Sequence, residues 1–254
     1  MTNPPDSPPP PPTPSAAPKR AYIYRGEGTS WYQPVLWVLG RWFSRLLTLI
    51  LFRFRARGVQ NVPRRGPVLL VANHQSFLDP WLMGVWIKRQ IHFMARDSLF
   101  KDGFLGWLIV LLNTFPVRRG TADLGAVRTA IERLEKGFVV NIFAEGTRTT
   151  DGTIQPIITG ALLVVRRCKV PVPVVPVVVD GAFEAWPRTS KYPQFKRIRM
   201  IYGKPIMPEE YRDLPPEEFA QRLRREMVAL QKELGSVHAE RSAARMEAEN
   251  TENK

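Results

Sequence analysis

One histidine is distinguished by its neighbours. His74 lies in the segment Asn73-His-Gln-Ser-Phe-Leu-Asp79, directly after the apolar run Pro67-Val-Leu-Leu-Val-Ala72. Imidazole is the side chain that exchanges a proton most readily near neutral pH. Ser76 and Asp79 form S-x-x-D, a capping-box pattern that predicts a helix starting at Ser76. Asp79 would then stand in the first turn, close to the His74 ring. A carboxylate bonded to one ring nitrogen fixes the tautomer and makes the other nitrogen more basic. The pair would be a general base for an alcohol. The spacing equally admits a capping Asp79 beside a passive loop histidine.

The other reactive side chains are less promising. His92 sits among apolar residues in a predicted strand, which suits a core or surface role. His238 lies in a polar C-terminal stretch and reads as solvated. Cys168, the only cysteine, ends an apolar helix with no histidine near it in sequence, so it reads as a structural thiol. No second His or Cys has ligand spacing to His74, so no metal site is expected.

Two further segments could hold an anion. They are Phe115-Pro-Val-Arg-Arg-Gly120 and Phe143-Ala-Glu-Gly-Thr-Arg-Thr149. Arg118, Arg119 and Arg148 suit bidentate phosphate binding. Gly146 permits close backbone approach, and Glu145 could bond a substrate hydroxyl or orient an arginine. Either loop alone also fits a solvated turn with a local Glu–Arg pair.

These residues need a frame. Short β-rich runs are predicted at Pro67–Ala72, Ile91–Arg96, Thr114–Val117, Phe138–Phe143, Val172–Val179 and Ile198–Tyr202. Helical stretches alternate with them at Phe77–Lys88, Phe104–Leu112, Leu124–Lys136 and Ile157–Arg167. Gly137 would close the third of these helices. Pro215 and Pro216 open a last helix to about Leu234, with Glu217 and Glu218 in its first turn. Alternating strands and helices predict an α/β fold with helices covering the sheet. His74 and the Glu145 loop would follow strands directly, where open α/β sheets place ligands.

Composition narrows the partner. The chain has 254 residues, with 37 Lys+Arg against 23 Asp+Glu, a formal charge of +14. Such an excess suggests nucleic acid, a membrane surface or a phosphorylated substrate. One cysteine excludes an intramolecular disulfide framework. Nine of the 24 prolines fall in residues 1–20, which read as a disordered Pro-rich arm. Residues 21–60 read as an N-terminal membrane-associating segment. Leu36, Leu39, Phe43, Leu46, Leu47 and Ile50 form a broad apolar face opposite Arg41, Ser44, Arg45 and Thr48. A dozen apolar residues at about −0.5 kcal/mol each barely offset two central arginines at about +3 each, so spanning is marginal. Lying in the interface, with the arginines at the headgroups, costs less. Residues 21–65 carry eight Arg and one acid, and this charge favours anionic lipid over nucleic acid. Residues 61–234 form the remaining domain, and 235–254 a polar tail, frayed or disordered.

Taken in order, N-H-x-S-x-x-D, F-P-V-x-R-G, F-x-E-G-T-R and V-P-V-V-P-V at Val172 to Val177 resemble the four motif blocks of the lysophospholipid/glycerol-phosphate acyltransferase family, 1-acylglycerol-3-phosphate type. The resemblance covers about residues 35–215. It implies a mixed sheet covered by helices. It implies that His74 is the general base and Asp79 its orienting partner. It places the acceptor phosphate on Arg119, and the acceptor site at Glu145, Gly146, Thr147 and Arg148. It places Pro173 and Pro176 on the acyl-donor side. The third block departs from the family's F-P-E-G-T-R-S at Ala144 and Thr149, which touches loop rigidity rather than chemistry. Lysine is also often found where Arg96 stands; Arg96 and Lys101 are weaker phosphate candidates.

The implied reaction moves a fatty acyl group from acyl-CoA or acyl-carrier protein to the free hydroxyl of the lysophospholipid 1-acylglycerol-3-phosphate, giving phosphatidic acid. It needs no cofactor, since the thioester is a substrate. Backbone N–H groups near Ser76 are candidates for steadying the oxyanion. The expected setting is the cytoplasmic face of a membrane. Glycerol-3-phosphate or another lysophospholipid is the alternative acceptor. A non-catalytic basic membrane-binding protein would explain the charge but not the ordered motifs.

Overall fold

The computed structural model describes residues 32–100, 103, 114–117 and 124–252. The Pro-rich arm, the predicted helix at Phe104–Leu112, Lys101, Arg118 and Arg119 lie outside them. Among the described residues seven strands form one sheet. They are β1 (Arg55–Arg57), β2 (Val68–Ala72), β3 (Ile91–Arg96), β4 (Phe115–Val117), β5 (Val139–Phe143), β6 (Val174–Asp180) and β7 (Arg199–Tyr202), in the spatial order β1-β7-β6-β2-β5-β3-β4. The five strands from β6 to β4 run parallel; β7 is antiparallel to β6, and β1 parallel to β7. The sheet is therefore mixed, as the motif resemblance implies.

The helices among the described residues are α1 (Tyr32–Phe52), α2 (Asp79–Trp86), α3 (Leu124–Glu135), α4 (Thr159–Arg167), α5 (Ala182–Ala185), α6 (Pro208–Tyr211), α7 (Pro216–Glu233) and α8 (Ala239–Glu252). Alternation along the strands feeds two cores. Leu69, Val71, Val140, Ile142, Val174 and Val178 face α3, α4 and α7. Val68, Leu70, Ala72, Val175, Val177 and Val179 face α2 and the end of α1. Strands buried on both faces read as continuous apolar runs, which is why β2 and β6 are plain in the sequence.

Two regions depart from the sequence reading. Residues 235–254 do not fray throughout: α8 packs on α7, with Ala239 and Ser242 buried. His238, read as solvated, is buried, its Nε2 on Glu184 and its Nδ1 on Arg241. Polar composition hid this, because α8 docks through hydrogen bonds as much as through apolar area. Ser242 Oγ donates to Gln231 Oε1 (2.6 Å) and accepts from the Ile154 amide (3.1 Å).

The second departure is the orientation of α1. Its polar face turns inward: Thr48 is buried, and Arg45 Nε donates to the Val85 carbonyl at 3.0 Å. Arg45 Nη2 reaches the Trp86 carbonyl at 3.4 Å. Arg45 therefore caps the C-terminal end of α2 instead of lying among headgroups, a favourable place for a cation at a helix end. Trp42, Phe43, Leu46 and Ile50 are each more than half exposed on the other side. No helix among the described residues is long and apolar enough to cross a membrane.

Candidate active site

The site is built at the C-terminal end of β2. Beyond Ala72, Asn73 prolongs the sheet with its side chain. Its Nδ2 donates to the Val179 carbonyl (2.9 Å) and its Oδ1 accepts the Val179 amide (2.8 Å). The chain then leaves the sheet at His74, whose 17% exposed ring is stacked on Phe143 with centroids 4.1 Å apart.

His74 Nδ1 lies 2.8 Å from Asp79 Oδ2, and Asp79 is fully buried. The same oxygen accepts the amides of Gln75 (2.6 Å) and Ser76 (2.8 Å). A carboxylate holding those donors accepts the ring proton at Nδ1, which leaves the Nε2 lone pair free to take a proton. The His–Asp contact expected from the spacing is thus present, and instead of capping the helix, whose N-cap Leu78 has no side-chain cap, Asp79 also holds the two amides that precede it.

Two details of the sequence reading change. The helix begins at Asp79, not Ser76, because the Asp79 carboxylate folds back on the preceding amides and holds Phe77 and Leu78 in a turn. Pro80, free of any helical N–H requirement, marks that later start. The amides of Gln75 and Ser76 are engaged by Asp79, so they do not serve as oxyanion donors.

The β5 loop is tied to this turn. The Thr149 amide donates to the His74 carbonyl at 2.8 Å. Gly146 has φ of 69°, and a Cβ there would lie 2.5 Å from Ile158 Cδ1, so the tight turn requires glycine. The Arg148 guanidinium lies over the Phe77 ring, 3.6 Å from its centroid, and Thr147 is exposed beside it. Glu145 is buried, its Oε1 accepting the Gln155 amide at 3.3 Å. Burial pushes its carboxyl up to about 8, against the amides of Gln155 and His74, so it holds a proton at neutral pH. A neutral Glu145 can donate a hydrogen bond.

The fold thus brings His74, Asp79, Glu145, Gly146, Thr147 and Arg148 to one end of the sheet. Pro173 and Pro176 have sheet roles in their described contacts. The Pro173 carbonyl accepts the Leu69 amide (3.0 Å), and the Pro176 ring lies where Gly203 leaves room beside Leu230. A proline in a central strand is unusual. It is tolerated because the β6–β7 ladder ends at Val177–Tyr202, where only the Gly203 amide still reaches the Pro176 carbonyl. Cys168 behaves as read: burial pushes its thiol up to about 11, out of reactive range. Among the described residues no group of three or more His, Cys, Asp or Glu could hold a metal.

Sequence reasoning missed the supports of the loop. Gln75, fully buried, accepts the Phe183 amide and donates to the Gly152 carbonyl (3.3 Å). Gln231 of α7 donates to the same carbonyl at 3.2 Å. A buried polar chain therefore runs from the His74 turn through Gly152 to α7 and α8. Nothing in spacing marks such a chain, since its members are 77 and 79 residues apart.

Comparison with known proteins agrees with this geometry. The acyltransferase family profile matches residues 53–180. The chain is 29% identical over 160 residues to the 1-acyl-sn-glycerol-3-phosphate acyltransferase of Bacillus subtilis, covering 63% of this chain and 76% of that one. It is 32% identical over 212 residues to the enzyme of the same name from Saccharomyces cerevisiae, covering 78% and 67%. The crystal structure of the 1-acyl-sn-glycerophosphate (LPA) acyltransferase PlsC from Thermotoga maritima superposes with a TM-score of 0.67 over 79% of this chain and 81% of that one, at 24% identity, and shares the fold. By the matched profile and the Saccharomyces relative the chain belongs to the acyltransferase family, and its His74–Asp79 pair lies inside the matched span.

Proposed function

We propose that the protein acylates 1-acylglycerol-3-phosphate at its free hydroxyl, giving phosphatidic acid. The observation that carries this reading is the 2.8 Å contact of His74 Nδ1 with Asp79, which leaves Nε2 as the base. The names of the Bacillus and Saccharomyces relatives support the acceptor. Nε2 takes the proton of the acceptor hydroxyl as its oxygen attacks the thioester carbonyl. Asp79 stabilises the imidazolium that forms. The tetrahedral centre collapses with cleavage of the C–S bond, and the imidazolium returns the proton to the departing thiolate. No covalent enzyme intermediate is involved. Acyl-CoA or acyl-carrier protein supplies the acyl group.

Arg148, Thr147 and Glu145 line the acceptor side, with Gly146 allowing the backbone to approach, and Arg119 completes the phosphate site. Fixing the phosphate fixes the hydroxyl, which turns the attack into an effectively intramolecular step. Pro173 and Pro176 shape the strand on the acyl-donor side. The enzyme works on the cytoplasmic face of a membrane, held there by the bare apolar face of α1 and anionic lipid. Thioester release with both donor types and a panel of lysophosphatidic acid, glycerol-3-phosphate and lysophosphatidylcholine tests the reading. Fastest release with lysophosphatidic acid, with phosphatidic acid as product, is expected. Release with none of the three overturns it, and a faster alternative acceptor replaces the proposed one.

A further inference from the structure

The loop between α5 and β7, residues 187–197, has the composition of an interface rather than of a connection. Its sequence is Pro-Arg-Thr-Ser-Lys-Tyr-Pro-Gln-Phe-Lys-Arg, with four cations and no acid. Arg188, Lys191, Lys196 and Arg197 are all exposed. Tyr192 and Phe195 are 68% and 70% exposed, among the barest large side chains of the described residues.

The loop is nevertheless well organised. Trp186 Nε1 donates to the Ser190 carbonyl (3.1 Å), Ser190 Oγ to the Tyr192 carbonyl (2.7 Å), and the Gln194 amide to the Ala185 carbonyl (2.6 Å). Two large rings are thus presented to solvent by a folded loop, against the hydrophobic effect.

Its neighbours say what should cover it. At one end the Phe195 ring meets Phe52, the last residue of α1, at 6.2 Å, and the Ile198 amide bonds the Phe52 carbonyl. The loop therefore joins the helix whose Trp42, Phe43, Leu46 and Ile50 are bare. At the other end the Trp186 carbonyl accepts Ser76 Oγ (2.9 Å), and the Trp186 ring meets Phe77, inside the His74–Asp79 turn. Aromatic rings beside cations match a bilayer interface, where rings sit at headgroup level and cations meet anionic lipid.

We propose that residues 187–197 form a second lipid-docking surface, in which Tyr192 and Phe195 enter the interface of an anionic bilayer and Lys191, Lys196 and Arg197 bind its headgroups. Together with α1 this loop would seat the mouth of the site against the membrane. The proposal rests on the lipid acceptor of the preceding reading for its choice of partner, and on the loop for everything else.

The test is sedimentation of the full chain with phosphatidylcholine vesicles, with and without phosphatidylglycerol, at a lipid concentration that binds half of the wild type. Each cation near an anionic surface is worth about fivefold in affinity. Lys191→Ala/Lys196→Ala/Arg197→Ala is therefore expected to bind the anionic vesicles at least about tenfold more weakly, and to lose the preference for them. Tyr192→Ser/Phe195→Ser is expected to bind both kinds more weakly. Both variants should keep the wild-type melting temperature and wild-type activity on detergent-dispersed acceptor. Unchanged vesicle binding in both variants overturns the proposal. So does a loss confined to duplex DNA retention, which would make the loop a nucleic-acid contact. Wild type that binds vesicles through this loop but transfers no acyl group would refute the acyl-transfer reading alone.

Discussion

His74 at the end of β2 and His92 at the start of β3 stand two strands apart in one sheet, and each faces a charged side chain. The charge is opposite. His74 Nδ1 meets the Asp79 carboxylate, on a ring that keeps 17% of its surface exposed. His92 Nδ1 meets the Arg133 guanidinium at 2.8 Å, with His92 buried and stacked on Phe138. Burial, reinforced by Arg133, pushes His92 down to about 4, so it stays neutral and accepts a hydrogen bond from arginine. One imidazole faces a carboxylate across Nδ1, and the other faces a cation and is held neutral. The residue type is therefore uninformative until its partner is known.

The largest expected effect lies at the first histidine. His74→Ala should lower turnover about 10²–10⁴-fold, read with saturating acceptor. Retention of more than about a tenth of wild-type rate would put the two histidines on one footing and remove the general-base role.

Glu145 sharpens the contrast, because it is a carboxyl that burial keeps neutral close to the His74 turn. Its folded value of about 8 lies above the ordinary 4.5, so the native state binds more protons between them. Stability should fall as pH rises from 4.5 through 8, by an amount on the order of a few kcal/mol. Glu145→Gln should match wild type in melting temperature near pH 4 and exceed it increasingly as pH rises towards 8. Parallel melting curves for the two proteins from about pH 4 to 9 would show that the folded state does not raise the Glu145 carboxyl.

His92 predicts the opposite slope. Its folded value of about 4 lies below the ordinary 6.5, so the unfolded chain takes the extra proton. Stability should fall as pH drops from 6.5 to 4, again by a few kcal/mol at most. His92→Gln keeps an acceptor for Arg133 and should flatten this acid limb while leaving turnover near wild type. A fall in turnover as large as that of His74→Ala would break the comparison outright.

The smallest effect tests the bracing of the β2 end alone. Gln231→Leu leaves the Gly152 carbonyl with one donor fewer and Ser242 Oγ without its acceptor. It should cost about 1–3 kcal/mol in denaturant unfolding. It should also lower kcat more than KM, because Gln75 shares that carbonyl with it. A stability loss with kcat unmoved would confine the chain to folding.

Much of this molecule is legible without any coordinates. β2 and β6 announce themselves as apolar runs, because a strand buried on both faces needs no polar positions. Asn73 through Asp79 holds the His–Asp pair in seven consecutive residues, because the histidine, its carboxylate partner and the turn joining them are local. The Gly146 turn is legible for the same reason, since only glycine adopts its φ without strain.

The rest depends on distance in the chain. α1 is visible as amphipathic, but only packing decides that its polar face turns inward, where Arg45 meets the carbonyls that end α2 some 40 residues later. His238 and α8 look polar and loose, yet they are held by partners 54 and 88 residues away, Glu184 and Ile154. Residues 187–197 can be counted as basic and aromatic, but only the fold sets them between Phe52 and the His74 turn. Periodicity and local hydrogen bonding are written along the chain, so the sequence determined the elements and the dyad. Which face is covered, and which charge meets which histidine, follows from contacts between segments that the chain order does not place together, and these the tertiary structure decided.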